Sequence, residues 1–158
     1  MFRGLTKKQC ILDGFCILLC AAALVCILIL YPSLPEKIPT HFNANGEING
    51  TGAKSSVFFL LALMYAMTAM FSVLARLKSL YRNINLPWPI PRGKEPEIIA
   101  ATKDFLCISN LCATVDNAYL IVACISEKLN NWILWAPYVL LAVEMVRFLL
   151  RVRRICKP

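Results

Sequence analysis

Ser55-Ser-Val-Phe-Phe-Leu-Leu-Ala-Leu-Met-Tyr-Ala-Met-Thr-Ala-Met-Phe-Ser-Val-Leu-Ala75 runs for 21 residues without a charge. The hydrocarbon core of a bilayer is about 30 Å thick, so a helix needs about 20 apolar residues to cross it. Three further blocks of similar length flank this one. Ile11 to Tyr31 has no charge after Asp13, Phe105 to Ser126 is interrupted by Asp116, and Trp132 to Leu150 is interrupted by Glu144 and Arg147. Each run is continuously apolar and lacks the alternation of a barrel strand, so helices are the way to satisfy its backbone in lipid. The whole chain of 158 residues is 59% apolar and 16% charged, against roughly 45–50% and roughly 25% in soluble domains. A soluble enzyme, a disordered chain and a small disulfide scaffold are excluded. The sequence predicts an all-α integral membrane protein, a single polytopic unit over 1–158. Its first helix pair and loop cover about 11–80 and its second helix pair about 97–150. The first block is too long for a cleaved leader and is read as retained.

Basic residues fix the expected orientation. Fourteen of the 17 Lys and Arg fall in the N-terminal tail, the segment between the second and third blocks, and the C-terminal end. Basic loops stay in the cytoplasm, which places both termini there and the loop after the first helix outside. The net charge of +8 then reflects topology and contact with anionic membrane lipids. It does not indicate nucleic acid, which would want basic residues interleaved with stacking aromatics on a soluble face. Tyr31, Trp132 and Trp135 fall at the expected outer interface, and Tyr81 and Trp88 near the inner one, as amphipathic rings prefer. Pro96 suits a helix start, so the third helix is expected to begin near Glu97, ahead of the membrane.

Polar groups inside spans usually face protein or water, because a charge at the bilayer centre costs about 2.5–3.5 kcal/mol on insertion scales. At about 100° per residue, Asn110, Thr114 and Asn117 line one side of the third span with Asp116 and Ser109 beside them. Leu111, Val115 and Val122 form the opposite stripe. The second span offers Tyr65 and Thr68, with Ala62, Ala66 and Ala69 small enough for close helix approach. Asp116 reads either as a proton or cation site or as a carboxyl bonded to neighbouring Asn and Thr groups. Glu144 and Arg147, three residues apart, can pair, and Pro137 is expected to bend the fourth helix. The eight cysteines contain no C-x-x-C, and they read as small apolar fillers with no metal or redox cofactor implied.

The expected outer loop is the most specific stretch. It carries the only histidine, His41, three prolines (Pro32, Pro35, Pro39), and two Asn-Gly pairs, Asn45-Gly46 and Asn49-Gly50. Asn-Gly is the strongest short-range turn signal, because both residues tolerate positive φ. A short strand from Ile38 to Phe42 followed by a tight turn is expected. His41, Phe42, Asn43, Gly46, Glu47 and Lys54 are the candidate ligand-binding residues. The alternative is that His41 and Asn43 only hold the loop's own turn. One histidine and one carboxylate are too few for a metal.

Leu34-Pro-x-x-Ile-Pro-Thr-His-Phe-Asn-x-x-Gly-Glu, followed by Gly-x-Gly-x-Lys, resembles the signature of a bacterial membrane domain of unknown function. That domain also stands at the N-terminus of SdpI-type toxin-immunity proteins, directly after the first membrane helix. Asn49 and Thr51 depart from the pattern, which usually has Asp and often an aromatic there. The second conserved half of the immunity proteins is not found. The resemblance implies the module in a bacterial cell membrane. It points to a non-enzymatic binding or signalling role, such as sensing or immunity against an extracellular peptide, with a cytosolic regulator as a further partner. The alternative is a small transporter or accessory subunit using the Asp116 face. An enzyme is not expected: the chain has no phosphate loop, nucleophile elbow or two-histidine motif, and His41 with Glu47 lacks a nucleophile–base arrangement. A homo-oligomer could bury the polar face of the third span.

Overall fold

A computed structural model describes residues 4–77 and 86–157. Arg3, Lys78, Tyr81 and Arg82, which enter the orientation argument, lie outside the described residues. The element order is α1 (Lys7–Leu30), a 3-10 turn (Tyr31–Ser33), β1 (Lys37–Phe42), β2 (Ile48–Ala53), α2 (Ser56–Leu74), α3 (Glu95–Ser126) and α4 (Asn131–Cys156). All four helices are long and apolar enough to cross a membrane. The fold class is therefore the expected one, with a small two-stranded sheet added where the structured loop was anticipated.

Helix ends follow local chemistry. At the start of α1 a capping box forms: the Gln9 backbone N–H donates to Thr6 Oγ1 at 3.3 Å and the Thr6 N–H donates to Gln9 Oε1 at 2.9 Å. This satisfies two donors that a helix start leaves open. α1 gives way at Tyr31-Pro32, where proline closes the register. α3 opens with Glu95, Pro96 and Glu97 in its first turn, which suits both proline geometry and the positive end of the helix dipole. Its 32 residues rise about 48 Å, more than the hydrocarbon core is thick, so one end projects. Glu127, in the left-handed region at φ 57°, ends it. Asn130 then caps α4, accepting the Trp132 N–H at 2.9 Å. Pro137 lies inside α4, nearly two turns in.

α3 is the central element and packs against each of the other three helices. It buries Cys107, Ser109, Asn110, Cys112, Thr114, Asp116, Asn117 and Ile121 while Val115 and Val122 stay exposed. The polar face of the third span thus turns inward as its periodicity predicts. α4 buries only Val152 and presents an apolar outer surface including Trp132, Trp135 and Val139. In a helix of membrane-spanning length that surface is the one to face lipid. On α2 the buried face is Val57, Leu61, Met64 and Thr68. Ala62, Ala66, Ala69 and Tyr65 are exposed instead, which corrects the expectation that the alanines form the helix contact. The large, flexible Met64 fills the contact where a small-residue seam was anticipated. All eight cysteines are free thiols, and Cys16, Cys20, Cys107, Cys112 and Cys124 are buried.

β1 and β2 pair antiparallel, Lys37 opposite Ala53 and Phe42 opposite Ile48. Ile38 is buried in the apolar core with Ile27, Val57, Leu61, Met64 and Ile121. The hairpin therefore caps one end of the bundle. At the other end the beginnings of α1 and α3 meet the end of α4.

Candidate functional site

Two polar constellations stand out, one at each end of the bundle. The hairpin is the first. Asn43 organises its turn: Oδ1 accepts the N–H groups of Asn45 at 2.9 Å and Glu47 at 3.0 Å, and Nδ2 donates to Glu47 Oε2 at 2.8 Å. Gly46 N–H closes the turn onto the Asn43 carbonyl at 2.9 Å, with Gly46 at φ +84°. A three-residue loop ending in a left-handed glycine is a common hairpin connection. The second Asn-Gly pair does not turn the chain. Asn49 and Gly50 lie inside β2, with Gly50 opposite His41 at a register irregularity. A Cβ on Gly50 would sit 3.0 Å from His41 Cβ, so this glycine makes room for the close approach of the two strands at His41. His41 Nδ1 is hydrogen-bonded to Asn49 Oδ1. His41, Asn45 and Glu47 remain exposed, while Phe42, Asn43 and Gly46 are half-buried.

Both helix pairs hold the hairpin in place. Asn131 Nδ2 donates to the Ala44 carbonyl at 2.8 Å, tying the tip to the start of α4. Lys54 Nζ pairs with Glu36 Oε1 at 2.9 Å and lies 5.3 Å from the Tyr31 ring centroid. It therefore joins the base of the hairpin to the end of α1, with Tyr31 also against Phe58 of α2.

The second constellation is a continuous hydrogen-bonded chain through α1, α2 and α3. Arg76 Nη2 donates to Asp13 Oδ2 at 2.5 Å, and the Ser72 hydroxyl donates to Asp13 Oδ1. Asn110 Nδ2 reaches Ser72 Oγ at 3.3 Å and Asp13 Oδ1 at 3.5 Å. Thr114 donates to Asn110 Oδ1 at 3.3 Å, Thr68 lies 2.9 Å from Thr114, and the Cys20 thiol is 3.4 Å from Thr68 Oγ1. With Thr68 donating to Thr114, every donor points toward the Asp13 carboxylate. Asn110 and Thr114 are thus brought together, but with Asp13 and not with Asp116. In the sequence Asp13 marks only the edge of the first apolar block. In an up–down bundle, an acid nearly two turns into the first helix and a base just past the end of the second lie at one depth, and that symmetry is the signal in the sequence for the pair.

Asp116 lies on the other side of α3. Its Oδ2 accepts the Tyr138 hydroxyl of α4 at 2.8 Å, and its Oδ1 is buried without a hydrogen-bond partner among the described residues. The expected Asn and Thr partners are engaged elsewhere, and Tyr138 replaces them. Asn117 Nδ2 donates to the Ala113 carbonyl at 2.8 Å and faces Met67 Sδ at 3.6 Å. Glu144 and Arg147 pair at 2.7 Å along α4. Among the described residues no group of three His, Cys, Asp or Glu side chains could hold a metal.

Comparison with known proteins bears on the first constellation. Residues 18–65 match a family described as a domain of unknown function (DUF1648). The matched stretch runs from the middle of α1 through the whole hairpin into the middle of α2. No curated protein and no solved structure matches the chain.

Proposed function

We propose that the chain is a small non-enzymatic binding and signalling module of a bacterial cell membrane, similar in type to the SdpI-like proteins whose loop it resembles. In this reading both termini are cytoplasmic and the hairpin faces the exterior, where it senses or confers immunity to an extracellular peptide. A cytosolic regulator and a second copy of the chain are the further partners. The observation that carries the reading is the anchoring of the hairpin tip to Asn131, which leaves His41, Asn45 and Glu47 exposed on a preorganised backbone. Ordering a loop before it binds removes part of the entropy cost of association. His41→Ala and Asn43→Ala are each expected to cut survival of chain-expressing cells under a bacteriocin-like peptide at least tenfold, with Asp116→Asn unaffected. Unchanged survival in both hairpin variants removes the binding role. The orientation is checked by impermeant maleimide labelling of intact cells at Thr40→Cys and Trp88→Cys, with Cys10, Cys26 and Cys156 replaced by serine. Label at position 40 alone is expected, and the opposite pattern inverts the arrangement.

A second reading, a small transporter or accessory subunit, is favoured by the unpartnered Oδ1 of Asp116. A buried acceptor left open is costly, and membrane carboxyls in that state line ion or proton paths. Here Asp116→Asn is expected to abolish proton or cation flux in proteoliposomes while His41→Ala leaves it intact.

A further inference from the structure

The ends of the bundle differ in charge, and the end opposite the hairpin holds two adjoining cavities. One, about 490 Å³, lies between α3 and α4 with Phe105 and Phe148 in its walls. The other, about 620 Å³, lies among the N-terminal segment, the start of α3 and the end of α4, with Ile99, Ala100 and Ile155 in its walls. Arg151 and Arg154 line both. Lys8 lines the first and Lys103 the second, where the Lys103 ammonium is buried and donates to the Gly4 carbonyl at 3.3 Å.

The acidic groups in these walls are already engaged. Asp104 accepts from Gln9 Nε2 and Arg151 Nη1, both at 2.7 Å. Glu144 pairs with Arg147 and Glu97 with Lys94. Among the described residues no ion pair engages Lys8 or Arg154, and both are exposed. The cavities therefore combine uncommitted cations with apolar walls. Arg151 is 20 residues beyond Asn131, a rise of about 30 Å, which is the thickness of the hydrocarbon core. With Trp132 at one interface, the Arg151–Arg154 turn lies at the other.

We propose that these joined cavities are a binding site for the phosphate headgroup of an anionic phospholipid. Lys8 and Arg154 hold the phosphate, with Arg151, paired with Asp104, beside it, and the acyl chains run along the apolar walls beside Ile99, Ile155 and Phe148. Guanidinium groups suit phosphate because their planar fork of donors matches its oxygens, and basic pockets between membrane helices take such headgroups. Apolar walls next to the cations select a lipid over a free anion.

The test uses the full chain purified in detergent, with phosphatidylglycerol, phosphatidylcholine or inorganic phosphate added in parallel. Bound lipid is counted by native mass spectrometry, and the thermal midpoint is followed, since a ligand that binds only the folded state raises it. Phosphatidylglycerol is expected to be retained and to raise the midpoint, the other two to do neither. Lys8→Gln with Arg154→Gln is expected to lower phosphatidylglycerol retention at least fivefold, while Lys157→Gln, which removes a nearby charge outside the cavities, leaves it unchanged. Equal retention of phosphatidylcholine, an equal shift with phosphate alone, or equal loss in Lys157→Gln each overturns the site. The wild-type lipid series decides the case by itself if the double variant does not fold.

Discussion

Arg76→Ala is expected to destabilise the protein by roughly 2–3 kcal/mol, and Asp13→Asn by only about 1 kcal/mol, although the two residues form one ion pair. The asymmetry comes from burial. The Asp13 side chain is 6% exposed and that of Arg76 is 50% exposed. Without Arg76 the carboxylate stays between three helices with Ser72 and Asn110 as its remaining donors. Without the Asp13 charge, the guanidinium relaxes into solvent and keeps its bond to the Ser72 carbonyl, now 2.8 Å. Removing one member of a fully buried pair costs about 3–5 kcal/mol. The exposure of Arg76 discounts that range, because water already screens part of the pair. Asparagine at position 13 keeps the shape and an acceptor for Ser72. Combining Asp13→Asn with Arg76→Ala is expected to cost less than the sum of the two, because the second change no longer strands a charge. Denaturant titration of the three variants in detergent reads all of this. Equal losses, or a larger loss at Asp13, would show that the carboxylate is not the dependent partner.

Gly46→Ala is expected to release the hairpin tip from the bundle. Gly46 has φ +84°, and a Cβ there would lie 2.9 Å from the Leu129 carbonyl oxygen. Gly93 has nearly the same angle, φ +85°, but open space around it. Gly93→Ala therefore isolates the backbone penalty, about 1–2 kcal/mol for an L-residue in the left-handed region. Gly46→Ala adds a clash with a backbone atom, which no side-chain rotation relieves, and a total above about 2 kcal/mol is expected. Part of the molecule should show it first. The amides of Asn45 and Glu47 are expected to exchange faster in Gly46→Ala, while those in the middle of α3 stay protected. Indistinguishable exchange in the Gly46→Ala and Gly93→Ala variants sinks the view that the hairpin tip is in contact with the α3–α4 connection at Leu129.

Much of this architecture is legible from residue patterns. Apolar runs of membrane length locate the four helices, because lipid leaves the backbone no other partner than itself. Proline placement and Asn45-Gly46 locate the strand and turn, because proline fixes φ while asparagine and glycine tolerate the positive φ that a tight turn needs. The inward face of α3 follows from helical periodicity. Partner choice across helices does not follow. Which residue meets Asp116 depends on the rotation of α4 about its own axis, and the apolar residues around Tyr138 do not encode that angle. The exposure of Ala62, Ala66 and Ala69 has the same origin, since α2 is apolar on every side and its sequence does not single out a buried face. Asn49-Gly50 misleads for another reason. Its glycine serves a cross-strand neighbour, His41, and that use of glycine looks identical to a turn until the register is known.

The hairpin is rooted in the first two helices, yet its tip is fastened to the joint between the other two. It is therefore a strap across the whole assembly. A load applied at Asn45 is shared by both halves at once, and neither half can tilt away from the other without dragging the strap or unfastening it.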